Sequence, residues 1–169
     1  MSVVIRNVSN MHSNRRGVDA KARDFAVRCA EAMRVAEQGQ AALARIFAEA
    51  AAEGMHRVAE LASPSSREAE LPFRSLAAEL GAATNMSDRT VQRRMNDAAV
   101  LEESFPATFD AWDEGRVSGG HVAVIMEHGL PLTDPDARAV FEREALVRAE
   151  GTTPGRLGAS LARLAESLQ

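Results

Sequence analysis

Residues that begin and end helices follow one another at short intervals through the second half of this chain. A proline suits the first turn of a helix because its missing N–H would be unpaired there, and a glycine suits the position after the last turn. In chain order these signals are Pro106, Gly115, Ser118, Gly129, Asp134, Pro135, Gly151, Thr153 and Pro154. Because no segment alternates apolar and polar residues as a strand does, the sequence predicts an all-α fold of roughly seven helices.

A pair of helices joined by a polar corner is predicted within Leu71–Arg94. The first helix is expected from about Pro72 to Thr84, with Asn85 as a left-handed stop. The hydroxyl of Ser87 can then cap a second helix, which the following acidic residue would also favour. The second helix is long enough to extend the motif over residues 71–105, which we interpret as a helix-turn-helix.

Small and apolar residues are placed so that the two helices can pack closely. Gly81 is expected where the helices cross, with Leu80, Met86 and Val91 pointing into the crossing. Further apolar residues continue this face at spacings of three and four, as a buried helix stripe requires. The predicted core stripe of the second helix is Val91, Met95, Ala98, Leu101 and Phe105.

The other face of the second helix carries side chains that can read DNA bases. Arg89 and Arg93 form one i, i+4 pair, and Gln92 and Asn96 form another. Arginine, glutamine and asparagine can make paired hydrogen bonds to guanine and adenine edges in a major groove. Any surface helix can carry such residues, however, and a short helical hairpin is common in helical domains. The residue pattern alone does not decide whether these helices contact DNA or are simply a hairpin of the core.

The net charge of −4 excludes DNA binding by bulk electrostatics, so a local patch would be needed. Residues 1–34 contain seven basic and three acidic residues, whereas residues 101–169 contain six basic and twelve acidic residues. A phosphate-facing surface would therefore combine the N-terminal segment with the second motif helix. The sequence has neither a secretory signal nor an apolar run long enough to cross a bilayer, so we expect a cytoplasmic protein without membrane contact.

The first half of the chain is predicted to be a flexible arm followed by one long helix. Residues 1–19 have no helical period and read as a disordered leader, or as an arm whose Arg15 and Arg16, with Lys21, contact phosphates. Few residues downstream would stop a helix until the polar segment SPSSREAE. The expected organisation is a flexible basic arm at 1–19, a long amphipathic helix at 20–62, a linker at 63–70 and a helical domain at 71–169.

Apolar or small residues recur along the long helix at alternating gaps of four and three. These are Phe25, Cys29, Ala32, Ala36, Gly39, Leu43, Ile46 and Ala50. Such a stripe lets another helix approach closely. It could pack on its own domain or against the same helix of a second copy, which would give a homodimer. The single cysteine is expected to be a small buried hydrophobe.

Residue groups typical of catalysis or metal binding are not found in the sequence. His121 and His128 are nearly two helical turns apart, too far for one metal, and His121 is expected to be a helix-start residue in a tight contact. No phosphate loop or nucleophile with a neighbouring base is present, and the acidic residues after Leu101 are expected on solvated faces. We therefore predict no catalytic residues, no metal site, no cofactor and no enzymatic activity for this chain.

The stretch from Leu76 to Leu168 resembles the actinobacterial domain of unknown function 222. Three motifs carry the resemblance: Leu101 followed by Phe105-Pro106, the Gly115-x-x-Ser118 turn with His121, and Thr152-Thr153-Pro154-Gly155-x-Leu157. The resemblance implies that such a domain typically stands ahead of a C-terminal HNH endonuclease domain. Because this sequence has no HNH motif, we expect either the N-terminal piece of a longer nuclease or a free-standing relative that lost the nuclease half.

The order of helix-turn-helix, Pro-led short helix and Gly120-His121 is similar to the DNA-binding middle domain of ParB-type partition proteins. In that family the second motif helix enters the major groove, and the segment after Gly-His helps to hold it. Here Ala123 replaces the arginine usually found two residues after Gly-His. The similarity implies that Ser87, Arg89, Thr90, Gln92 and Arg93 face DNA.

The function expected from these features is that of a double-stranded DNA-binding module that acts as a homodimer through its long N-terminal helix. The alternative is a helical protein-interaction or oligomerisation scaffold that makes no DNA contact. The acidic C-terminal third fits the scaffold better, whereas the second motif helix fits DNA binding better.

Overall fold

The structure is a computed structural model that describes residues 3–61 and 63–169, with side chains from Asp19 onward. These residues form seven α-helices and no strand, so the predicted fold class is confirmed. The helices are α1 (Val3–Ala59), α2 (Ser66–Thr84), α3 (Asp88–Ser104), α4 (Pro106–Asp113), α5 (Gly119–Gly129), α6 (Pro135–Ala149) and α7 (Pro154–Glu166). None of the described helices is both long and apolar enough to span a membrane.

Two compact units make up the chain, Met1–Ala36 and Glu37–Gln169. We refer to the second as the helical body, and α1 contributes to both. Part of the segment predicted as a flexible arm falls within the bounds of α1, which begins at Val3. The side chains of Arg15 and Arg16 lie outside the described residues, so their contact with phosphate stays a prediction.

The first helix of the predicted motif begins at Ser66, within the segment expected to be a linker, rather than at about Pro72. A capping box explains the earlier start, because the Ser65 N–H donates to Glu68 Oε2 (2.9 Å) and the Glu68 N–H donates to Ser65 Oγ (3.4 Å). Pro72 consequently lies inside α2. Because Pro72 has no N–H, it cannot donate the usual hydrogen bond to the carbonyl four residues earlier.

The core of the helical body contains the apolar stripe predicted for α3. Val91, Met95, Ala98, Leu101 and Phe105 are all buried, which confirms that prediction. The other large side chains buried with them come from α1 and from α4 to α7, and they include Phe47, Phe109, Ile125, Phe141, Leu157 and Leu161. One face of α3 therefore packs into the core that α4 to α7 form.

α5 ends at Gly129, as predicted, although the residue that caps it, Leu130, has a right-handed conformation. Gly129 also allows close packing. A Cβ at this position would lie 2.6 Å from Phe105 Cε1 and 2.8 Å from Phe141 Cε1. Two aromatic rings of the core therefore occupy the space that a larger residue would need.

The apolar stripe predicted along α1 is confirmed only in part within the helical body. Leu43 and Ala50 of the stripe pack against the core, whereas Ile46 is 49% exposed. The buried apolar side chains of this segment are instead Ala41, Phe47, Ala48 and Ala51. The segment has alanine on every face, so its sequence is compatible with several stripes of equal spacing. Cys29, predicted to be buried, is exposed.

Two polar side chains of α1 attach its second half to α4 and α5. Arg45 Nη2 donates to Asp110 Oδ1 at 2.6 Å, and its Cζ lies 3.8 Å from the centroid of the Phe109 ring. Glu37 Oε2 accepts hydrogen bonds from Trp112 Nε1–H and from the backbone N–H of Gly119, both at 2.8 Å. The carboxylate of Glu37 thus neutralises the positive end of α5.

Candidate nucleic-acid interface

A three-residue turn joins α2 to α3, as the sequence predicted. Asn85 has φ 55° and ψ 33°, and its N–H donates to the carbonyl of Gly81, so the left-handed stop is confirmed. Gly81 is buried, and a Cβ there would lie 2.8 Å from the carbonyl oxygen of Met86. The glycine is therefore required by the close approach of the turn itself.

Ser87 and Thr90 are engaged at the start of α3. Ser87 is the N-cap, and its Oγ accepts the N–H of Thr90 at 3.3 Å. The two hydroxyl oxygens are 2.8 Å apart and hydrogen-bonded. Ser87 is exposed and Thr90 is half-buried. Both residues stabilise the helix end, which leaves them limited hydrogen-bonding capacity for a ligand.

Arg89, Gln92, Arg93 and Asn96 lie together on the exposed side of α3. None of these four side chains makes a hydrogen bond or ion pair with another residue whose side chain the structure describes. By contrast, most arginines of α1 within the described range pair with carboxylates, such as Arg57 with Glu53 at 2.7 Å. The predicted base-reading face is therefore exposed and unengaged.

Charge is distributed unevenly along α3. Its first nine residues, 88–96, contain three arginines and one aspartate, whereas residues 97–104 contain three carboxylates and no basic residue. The positive end of the helix dipole lies at the same end as the arginines. Only the N-terminal half of α3 is therefore suited to a phosphate-rich surface.

His121 is held as a helix-start residue, which confirms the prediction for it. The backbone N–H of Ser118 donates to Nδ1 (3.1 Å), so Nδ1 is the acceptor nitrogen and Nε2–H donates to the carbonyl of Thr152 at 2.7 Å. Both ring nitrogens are occupied within the fold. No cluster of three or more potential metal ligands occurs among the described residues.

One acidic residue beyond Leu101 is not on a solvated face, contrary to the expectation from sequence. Glu142 of α6 is 6% exposed, and its Oε1 accepts the N–H of Thr108 at 2.6 Å. Burial raises the pKa of Glu142, and the hydrogen bond from the Thr108 backbone opposes that rise. Thr108 lies in the first turn of α4, so Glu142 acts as a cap for that helix from a distant part of the chain.

These features define an all-helical protein with a two-helix hairpin whose second helix exposes polar and basic side chains that have no partner among the described residues. The chain belongs to the family described as Domain of unknown function (DUF222), whose model matches residues 28–169. No curated protein matches the chain. No solved structure matches it either.

Proposed function

We propose that this protein is a DNA-binding module in which α2 and α3 form a helix-turn-helix and α3 docks in a major groove. The observation that carries the proposal is the exposed face of Arg89, Gln92, Arg93 and Asn96, which has no partner among the described side chains. Guanidinium and amide groups are those that recognise guanine and adenine edges. Ser87 and Thr90, at the helix start, would lie near the phosphates.

The charge distribution of α3 determines how it would enter the groove. Its acidic C-terminal half would be repelled by phosphates, so the N-terminal half must face the bases, as in helix-turn-helix proteins generally. The net charge of −4 implies weak nonspecific affinity, because few phosphates would be neutralised. Binding in the cytoplasm would therefore depend on this one local face.

The test is fluorescence anisotropy with random duplex DNA at two salt concentrations. The double variant Arg89→Ala/Arg93→Ala should lose about 1–3 kcal/mol of binding free energy for each base contact removed, with a smaller salt slope if either arginine touches phosphate. The matched control is Arg156→Ala/Arg163→Ala, which removes the same charge from exposed positions of α7. Equal affinities for the two double variants would contradict the proposal.

A second candidate function, an oligomerisation scaffold, is favoured by apolar residues exposed on α1 before Glu37. Phe25 is 59% exposed and Met33 is 60% exposed, and both lie on the same side of the helix as Cys29. Pairing of this face with a second copy would give the homodimer expected for a helix-turn-helix protein. The same pairing of two copies would also be enough for an oligomerisation scaffold that makes no DNA contact.

Mass in solution tests the dimer. Phe25→Glu/Met33→Glu should convert a dimer to a monomer, whereas Arg23→Glu, an exposed change on the same segment, should not. If the two helices pair in parallel and in register, mild oxidation should join two copies through Cys29. A wild-type monomer at all concentrations would eliminate both the homodimer and the scaffold.

We further propose that, in relatives carrying a C-terminal HNH endonuclease domain, a module of this kind delivers the nuclease to DNA. The proposal depends on DNA binding by α3 and on the resemblance carried by the segment from Leu76 to Leu168. Fusing an unrelated nuclease domain after Gln169 should then increase cleavage of DNA that the module binds. Arg89→Ala/Arg93→Ala in the fusion should remove that increase.

A further inference from the structure

A cavity of about 580 Å³ opens between α1, α2 and α3, beside the face proposed to bind DNA. All three helices lie in the helical body at this point. Apolar side chains form its walls, and amides and carboxylates stand at its edges. The residues that matter for its chemistry are Met55, Phe73, Gln92, Asn96, Glu102 and Glu103.

Phe73 and Met55 give the cavity apolar surfaces of the kind on which a flat ring can stack. Phe73 is half-buried and Met55 is 62% exposed. Gly54 is needed beside them, because a Cβ at that position would lie 2.7 Å from Phe73 Cε1. The glycine therefore lets the Phe73 ring lie directly against α1, where it closes one side of the cavity.

The polar residues at the edge can recognise a base. Gln92 and Asn96 are one helical turn apart and have no hydrogen-bond partner among the described residues. Glu103 likewise has none, whereas Glu102 is engaged by Arg45 Nη1 at 3.4 Å. Amides can pair with the edge of a base, and a carboxylate can accept a hydrogen bond from an exocyclic amino group.

We propose that, when the protein holds a single strand instead of a duplex, this cavity binds one unstacked nucleobase, and Arg89 and Arg93 contact the phosphates of that strand rather than base edges. The inference rests on the proposed function, because those two arginines lie on the same face of α3 as Gln92 and Asn96. The carboxylates exclude a phosphate group from the cavity itself. They favour adenine, guanine or cytosine over thymine, which has no amino group.

The test uses thymine 15-mer single strands that contain either one central adenine or one central abasic site. Stacking of a single base on an aromatic side chain should make the adenine strand bind at least about fivefold more tightly. Phe73→Ala and Asn96→Ala should each abolish this preference. Leu71→Ala is the control, since it removes an exposed apolar side chain from α2 outside the cavity.

Duplex binding measured in parallel separates the two proposals. If the protein binds duplex DNA but binds the two single strands with equal affinity, only the base pocket is overturned. If it prefers the adenine strand but does not bind duplex DNA, only the helix-turn-helix proposal is overturned. Failure to bind any of these DNAs overturns both. A lower mass in solution for either variant would assign the cavity to a second copy of the chain and overturn the base pocket. Circular dichroism checks the folding of Phe73→Ala, and Asn96→Ala alters only an exposed side chain.

Discussion

Glu142 shows how a single buried carboxylate can serve a helix to which it does not belong. The residue before α4 is Phe105, whose side chain cannot accept a hydrogen bond, so the first turn of α4 has no cap of its own. Glu142 of α6 supplies the acceptor at 2.6 Å from the Thr108 nitrogen. The cost is a carboxylate held away from water, and burial accordingly raises its pKa.

Glu142 should make the stability of the protein depend on pH. Because its folded-state pKa is raised, the native state binds the proton more tightly than the unfolded chain does. This stabilisation is complete below the ordinary pKa of 4.5 and is lost as the pH rises through the higher folded-state value. Glu142→Gln keeps an oxygen for Thr108 without ionising, so its urea-unfolding free energy should fall less over this range. If the unfolding free energies of the wild type and of Glu142→Gln changed equally with pH, Glu142 would not be the source of the pH dependence.

Gly129 and Gly39 should respond to alanine in opposite directions. Alanine at Gly129 would clash with the rings of Phe105 and Phe141, and overpacking of this kind costs about 1–3 kcal/mol. Gly39 lies within α1 with no atom near its missing side chain, so Gly39→Ala should stabilise by about 0.4–1 kcal/mol. The urea-unfolding midpoint should fall for Gly129→Ala and rise for Gly39→Ala. An unchanged midpoint for Gly129→Ala would show that the two rings can move.

At the scale of the helices, the ends that could be predicted are those fixed by neighbouring residues. Asn85, Ser87 and Pro106 were correctly assigned because their conformational preferences act within one turn. The exposed face of α3 could be predicted for the same reason, since it depends only on helical spacing. The start of α2 differs from the predicted one because the capping box of Ser65 and Glu68 begins the helix before Pro72, which is tolerated inside it.

The features that could not be predicted depend on helices far apart in sequence. Alanine on every face of α1 left its register undetermined, and with it the cavity walls formed by Met55 and Phe73. The contacts of Glu37 and Glu142 have no local pattern at all. Each joins groups separated by 34 or more residues, and only the packed structure brings them together.

Glu37 should contribute strongly to the attachment of α1 to α4 and α5. Glu37→Ala removes two charge-assisted hydrogen bonds, to Trp112 and Gly119, and should cost about 2 kcal/mol. Emission of the single tryptophan should also shift, because its indole N–H loses its partner. Glu49→Ala, at an exposed position of the same helix, is the control. The same loss in both variants would show that the Glu37 contacts are not responsible.

At the scale of the whole molecule, the two units differ in what their side chains cover. Every described side chain from residue 19 to 36 is exposed, whereas α1 buries Ala41, Phe47, Ala48 and Ala51 within the helical body. A helix without packed side chains opens easily, because propensity alone stabilises it weakly. Backbone amides of residues 19–36 should therefore exchange with deuterium much faster than those of residues 44–58. Similar protection of both segments would mean that a partner, such as a second copy, covers the first.

The cap that Glu142 supplies to α4 also bears on the order in which the chain folds. During synthesis α4 leaves the ribosome before α6 exists, so the first turn of α4 must wait for 34 further residues before its acceptor is available. Chains made from the N-terminus fold as their contacts become possible. A ribosome-bound chain that ends before residue 142 would therefore hold α4 only loosely, and the helical body would become protease-resistant only after α6 has emerged.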